Sequence, residues 1–318
     1  MLSLSLEMKT ELSILLPTYN CSSILLVEKL QEQANRLRLL HSEFRYEIIV
    51  ADDGSTDISV IQNNRKINSI ENCRYVERKE NVGRSAIRNF LIHEAKYEFL
   101  LFIDGDLSID DDNFLLKYAF SISNDVVVGG IKIEGDERAN KGNLRYKLEK
   151  KHESKHSVEH RIKNPYTDFK TCNFLATKEI MESHMFNENI KKYGYEDVLL
   201  GKSFKKSGYI VEHIDAPVVF DVFDENVDYI RKLEQSLENL YDFRTQLEGY
   251  SKLLDIVNHI KNTIFYSLIV LWHRCFGKIE FSILVGSKPN LMFFRLYQLG
   301  YFVTLFHKSE RKGNIGSE

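Results

Sequence analysis

Short apolar runs that end in polar or turn residues recur along the first half of the chain, at residues 12–16, 46–51, 73–77 and 98–103, and each reads as a β-strand. Between them the period changes. Val27, Leu30, Ala34, Leu37 and Leu40 fall at helical spacing within 23–41, and 83–96 predicts a second helix. Strands alternating with helices predict βαβ units, hence an α/β fold with a mainly parallel sheet and helices on both faces. Right-handed crossovers then bring the strand ends, residues 17–20, 52–57 and 104–106, to one rim, where open α/β sheets bind ligands.

The pattern continues with a strand at 125–132 and a charge-dense stretch at 134–163 expected to form an exposed helix with loops. Strand-like runs resume at 169–177, 209–214 and 218–223, with a helix at 196–206. From 226 onward the period is helical, with Val227, Ile230, Leu233, Leu237, Leu240 and Leu247 on one face. No internal repeat or low-complexity linker interrupts it.

Composition narrows the class. The 318 residues are 43% hydrophobic and 28% charged with only four prolines, which describes a folded chain. A net charge of −3 offers no broad basic surface, so no nucleic acid partner is expected. Cys21, Cys73, Cys172 and Cys275 form no CxxC pair, as expected of reduced thiols in the cytoplasm. Residues 1–12 carry acids without a basic start or a long apolar run, so neither a signal nor a transit peptide is expected there. The longest uncharged apolar stretches, 263–272 and 296–306, fall short of the ~20 residues that span a bilayer.

Four clusters carry chemistry. Asp52 and Asp53, in ADDGSTD after the second strand, can accept hydrogen bonds from a base N–H and from ribose hydroxyls, although a capped turn explains the same residues. In FIDGDLSIDDD, Asp104 and Asp106 stand at i and i+2 on extended chain and point to one face. Both can therefore reach one divalent cation and a diphosphate bound to it. Two carboxylates at an apolar strand end repel each other unless a cation or ligand resolves them; Asp110, Asp111 and Asp112 read as a helix cap. In ENVGRSAIRN, Gly83 permits a tight turn into a helix whose first N–H groups, with Arg84 or Arg88, suit phosphates, while a merely solvated arginine is an equal reading. In YGYEDVLLG an acid at a helix start can take the proton of an attacking hydroxyl, or simply favour the helix terminus.

In order and spacing, PTYN, DDGSTD, NVGRSAIRN, the DGD after an apolar strand and the later GYED resemble the family-2 glycosyltransferases of the GT-A fold, over roughly residues 11–226. The resemblance implies inverting transfer of a sugar from a nucleotide diphosphate sugar, with a UDP-sugar expected, to an acceptor hydroxyl, using Mn²⁺ or Mg²⁺. The setting would be cell-surface polysaccharide or glycan synthesis, with a saccharide or lipid-linked saccharide as acceptor. Carried onto this chain, it implies that Pro17, Thr18, Tyr19, Asn20, Asp52 and Asp53 hold the nucleoside, with Gly83, Arg84 and Arg88 beside base or phosphates. Asp104, Gly105 and Asp106 would be the DxD, with Asp106 the more direct metal ligand, and Asp197 would be the base with Glu196 touching the acceptor. Asn173, in FKTCNF, would line the donor and acceptor site, although a buried strand asparagine is an equal reading. Many relatives carry a histidine near PVxH as a third metal ligand; this chain has Phe220 there. Asp221, His213, or the DxD and diphosphate alone remain open.

Other readings compete. His152, Glu153, His156 and His160 spell the HExxH of zinc proteases on helical spacing, but KLEKKHESKHSVEHR has too few apolar residues to shield a metal and reads as a solvated helix. A sugar-phosphate nucleotidyltransferase would need a glycine-rich N-terminal loop where PTYN stands, and the missing histidine motivates a non-catalytic binding module. The expected division is a catalytic domain over 1–228 and a helical extension over 229–318. Residues 256–318 hold eight Lys or Arg against three Asp or Glu and are rich in aromatics, which suits either a membrane interface on the inner face or packing of helices onto the catalytic domain or a second subunit.

Overall fold

The computed structural model describes residues 8–123 and 125–315. Most of the stretch read as neither signal nor transit peptide, and the last three residues of the basic tail, therefore lie outside the described residues. The chain forms two compact units. The first comprises residues up to Glu134, Glu153–Lys191 and Glu196–Val222; the second comprises Gly135–His152, Lys192–Tyr195 and the chain from Phe223 onward.

In chain order the elements up to residue 220 are β1 (Glu11–Thr18), α1 (Ile24–Leu40), β2 (Arg45–Asp52), α2 (Ile58–Asn64), β3 (Cys73–Glu77), α3 (Arg84–Glu94), β4 (Phe99–Ile103), α4 (Phe114–Ala119), β5 (Val126–Val128), β6 (Ile131–Ile133), α5 (Leu144–His152), α6 (Val158–Arg161), β7 (Asn173–Thr177), α7 (Lys178–Ser183), α8 (Glu196–Ser207), β8 (Val211–His213) and β9 (Val218–Phe220). All but α5 belong to the first unit. Its seven-stranded sheet has the order β3-β2-β1-β4-β7-β5-β8, with β6 and β9 paired separately. Every pairing is parallel except those of β7, which runs antiparallel to both β4 and β5.

The expected mainly parallel sheet, with helices on both faces, is thus present, and alternation along the strands builds it. Ile14, Leu16, Ile48, Val50, Leu101 and Ile103 face α1, which answers with Val27, Leu30, Ala34 and Leu37. Leu15, Ile49, Leu100 and Phe102 face the opposite way onto α3, with its Ile87, Leu91 and Ile92. Central strands buried on both faces carry no polar alternation, which is why β4 reads FLLFI.

Two expectations change. The single strand at 125–132 is two strands in different sheets. A Cβ on Gly129 would come within 2.2 Å of the Ala216 carbonyl oxygen, and Gly130 has a φ of +93°, so the chain turns there instead of running on. The HExxH stretch is not one helix either: α5 gives way to a 3₁₀ turn at Glu153–His156, and Ser157 caps a new short helix by accepting the His160 N–H. The even i, i+4, i+8 face is lost.

The second unit is helical. Beside α5 it contains α9 (Asn226–Asp242), α10 (Lys252–Ile260), α11 (Ile264–Val285) and α12 (Leu291–Ile315). Leu144, Leu148, Ile230, Leu284, Phe294 and Tyr297 form its core.

Candidate active site

The parallel strands deliver their C-terminal ends to one rim, with Thr18 paired to Asp52 across β1 and β2. Because β7 runs the other way, it brings its N-terminal flank to the same rim, where Asn173 pairs with Ile103 and the Asp104 N–H donates to the Cys172 carbonyl at 3.1 Å.

The loops after β1 and β2 are tied together. Asn20, with φ of +49°, accepts at Oδ1 from the N–H groups of Thr56 (2.8 Å) and Asp57 (3.0 Å), and its own N–H donates to Ser55 Oγ at 2.7 Å. Pro17 is half-buried, Thr18 buried, and Tyr19 exposed. Asp52 is buried, accepting at Oδ1 from the Ser55 N–H (2.7 Å) and at Oδ2 from the Tyr75 hydroxyl. Asp53, also buried, accepts from the N–H groups of Val82 and Gly83, both at 2.9 Å, and so fixes the loop that leads into α3. Burial pushes its carboxyl up, against those amides and Arg78, which draw it down.

α3 begins after Gly83 and presents Arg84 and Arg88 one turn apart. Arg84 donates from Nη2 to Asp104 Oδ2 at 2.9 Å and from Nε to Glu196 Oε1 at 2.8 Å. Arg88, fully buried, donates to Asp104 Oδ1 and to the Arg84 carbonyl. Burial acts to raise the Asp104 carboxyl, but the Arg88 and Arg84 guanidiniums outweigh it and hold it below the usual range. Three buried polar atoms in this cluster have no hydrogen-bond partner: Ser85 Oγ, Arg88 Nε and Glu196 Oε2. Buried orphans are uncommon in folded proteins, and their concentration beside Asp104 suits a polar ligand.

Gly105 and Asp106 follow. The Gly105 N–H donates to the Pro17 carbonyl at 3.0 Å, and a Cβ there would lie 2.6 Å from Ser23 Oγ, so only glycine lets β4 leave this close to β1. Asp106 is exposed and adds to the burial that raises the Cys21 thiol, which places it beside the PTYN turn. Among the described residues no group of three or more His, Cys, Asp or Glu could hold a metal. Asp106 offers a divalent cation one exposed carboxylate, the oxygen donor such cations take, whereas both Asp104 oxygens are held by Arg84 and Arg88. His213 is committed elsewhere. It is buried, its Nδ1 accepts from Arg161 at 2.8 Å, and its Nε2 donates to the Pro165 carbonyl at 2.9 Å, which removes it from the open choices for a third ligand.

α8 starts with Glu196 and Asp197. Asp197 accepts at Oδ1 from the Val198 N–H (2.8 Å) and pairs at Oδ2 with Lys170 (3.0 Å). Lys170 escaped the sequence reading although it lies in FKTCNF; a lone cation leading into an apolar strand was the signal. Asn173, expected in the donor site, is fully buried instead. Its amide donates to the Gly130 and Ala216 carbonyls, both at 2.8 Å, and accepts from Tyr118 at 2.7 Å. With no surface and a spent amide, it joins strands rather than lining the site.

A mainly parallel α/β sheet with carboxylates and arginines on the carboxyl rim, and a helix bearing an acid pair beside it, is the arrangement in which open α/β folds bind ligands. The profile of glycosyl transferase family 2 matches residues 13–184, more than half of the chain, and the chain belongs to that family. It is similar to a Bacillus spizizenii poly(ribitol-phosphate) beta-glucosyltransferase, 38% identical over 125 residues, covering 38% of this chain and 19% of that protein. It is also similar to Escherichia coli chondroitin synthase, 35% identical over 98 residues, covering 30% of this chain and 13% of the other. The chain thus matches less than a fifth of the length of these relatives. Among solved structures, a Pyrobaculum calidifontis mannosyltransferase in complex with GDP-Man and Mn²⁺ superposes with a TM-score of 0.49 at 14% identity, covering 92% of this chain and 84% of that one.

Proposed function

We propose that the protein is an inverting glycosyltransferase that moves a sugar from a nucleotide diphosphate sugar, a UDP-sugar first among donors, to a hydroxyl of a saccharide or lipid-linked saccharide in cell-surface glycan synthesis. Family membership supports the reaction class. The observation that carries the site assignment is the Arg84 bridge: one guanidinium joins Asp104, after β4, to Glu196, at the start of α8. Donor-side and acceptor-side acids are thereby held in a single hydrogen-bonded group.

In this reading residues 1–228 carry the chemistry. Tyr19, Asn20 and the loop held by Asp52 and Asp53 receive the nucleoside, and the α3 N-terminus with half-exposed Arg84 faces the phosphates. Asp106 would hold Mn²⁺ or Mg²⁺, which supplies charge to offset the leaving diphosphate. The acceptor oxygen attacks the anomeric carbon, Asp197 takes the hydroxyl proton, and the bond from the anomeric carbon to the phosphate oxygen breaks with its electron pair on the nucleoside diphosphate. Lys170 and the Val198 N–H fix the orientation of the Asp197 carboxylate. Glu196 keeps one oxygen on Arg84, and its other, buried without a hydrogen-bond partner, would meet the acceptor. The helical extension over 229–318 would serve acceptor access at the inner membrane face.

The test is product analysis with a panel of nucleotide sugars and Mn²⁺. Nucleoside diphosphate release that rises with a saccharide acceptor is the expected result. Pyrophosphate chemistry would mark a nucleotidyltransferase, and binding without turnover a non-catalytic module; either overturns the reading.

A further inference from the structure

The helical unit buries five of the eleven aromatic residues that mark the tail, Tyr266, Phe294, Tyr297, Phe302 and Phe306. The outer side of α11 does the opposite. Phe265, Leu268, Leu271, Trp272, Phe276 and Ile279 are each between 42% and 63% exposed. At 3.6 residues per turn these positions fall in one sector roughly 140° wide and run about 21 Å along the helix axis. The inward side carries Tyr266, Val270, Gly277, Glu280 and Leu284.

Charge on this helix is sorted as sharply. The only acid of α11, Glu280, is turned inward and 1% exposed, accepting from Trp272 Nε1 at 2.7 Å and from His273 Nδ1 at 3.2 Å. The Trp272 N–H is therefore satisfied from within, and its outward ring makes no demand on water. Arg274 and Lys278 are exposed along one edge of the apolar stripe, one and two turns beyond Leu271, and exposed Lys261 and Lys288 flank the helix. No exposed acid opposes them on α11. Docking α11 of a second copy on this face would bring no carboxylate of that helix to these cations, whereas an anionic surface complements both the stripe and its edge. No helix of the described residues is long and apolar enough to cross a membrane, so the match is to a helix that lies in the interface.

We propose that the outer face of α11 seats on an anionic lipid surface, with Leu268, Leu271, Trp272 and Phe276 among acyl chains and Arg274 and Lys278 among headgroups. This deepens the acceptor class named above, but it is tested without donor or acceptor, so either reading can fail while the other stands.

Trp272 is the only tryptophan of the chain, so its emission reports this face alone. With the full chain, adding mixed phosphatidylcholine and phosphatidylglycerol vesicles should shift that emission to the blue and sediment the protein. Pure phosphatidylcholine should do so at least about tenfold more weakly. The pair Leu268→Glu and Leu271→Glu should weaken vesicle binding by about a hundredfold or more. Arg274→Glu with Lys278→Glu should weaken it by about tenfold or more and flatten its salt dependence. All four residues are exposed, so thermal midpoints should stay near that of the wild type. The proposal is overturned if anionic vesicles neither shift Trp272 nor sediment the protein, or if the leucine pair binds like wild type. It is equally overturned if sedimentation velocity shows a dimer that the leucine pair dissociates, which would give the face to a second copy.

Discussion

Charged groups sit inside at the sheet rim, while apolar groups sit outside along α11. At the rim, Arg88 has lost nearly all contact with solvent and Asp104 and Glu196 most of theirs, and the three meet through Arg84. On α11 a continuous apolar stripe stays in water although the unit has a core of its own. Each arrangement costs free energy in isolation, the first by desolvating charge and the second by leaving apolar surface wet. The difference lies in how far the protein compensates. The rim satisfies most of its charges internally and leaves the buried Ser85 Oγ, Arg88 Nε and Glu196 Oε2 without partners, which suits a small polar ligand. The α11 face has no internal compensation and suits an extended apolar surface bordered by negative charge.

Four perturbations test this contrast. The largest effect belongs to Arg88→Met, which leaves Asp104 buried with one guanidinium. Breaking a buried pair costs about 3–5 kcal/mol, read as a lower denaturant midpoint, and a variant as stable as wild type would show that the rim does not depend on its internal pairing. Tyr75→Phe removes the hydroxyl that donates to Asp52 Oδ2, at a cost of about 1–3 kcal/mol, and loosens the loop after β2. Asp106→Ala should behave unlike its buried neighbour Asp104: stability stays within about 0.5 kcal/mol, while cation-dependent nucleotide binding falls by about tenfold or more in calorimetry.

The smallest effect is on pH. Burial, and then Arg161, hold the His213 imidazole below its ordinary value of 6.5. The unfolded chain therefore binds the extra proton first, so this group's contribution to stability is full above 6.5 and declines as pH falls through 6.5 toward the lower folded value. His213→Gln should flatten that part of the stability profile between neutral and mildly acidic pH. An unchanged slope would assign the dependence to other groups.

Central parallel strands are legible because both faces are buried: ELSILLPT, RYEIIVAD and FLLFI have no competing reading as surface helices. Their ends then place Asp52, Asp53, Asp104 and Asp106 on one rim by topology alone. What is not legible depends on contacts distant in sequence. Nothing local marks β7 as antiparallel, and that reversal is what brings Lys170 to the rim and buries Asn173. The break at Gly129 depends on Ala216, 87 positions later, and the assignment of Gly135–His152 to the helical unit depends on packing with α9 and α12. Basic and aromatic composition points to the tail as a whole. Only packing separates the buried rings of α12 from the outward stripe of α11.

The measurement that bears most directly on the central claim is turnover by Asp197→Asn, with donor affinity taken on the same sample. The amide keeps the shape of the carboxylate but cannot take a proton. Nucleoside diphosphate release in the presence of acceptor should fall by about 10²–10⁴-fold with donor affinity unchanged. Turnover at the wild-type rate would contradict the assignment of Asp197 as the base.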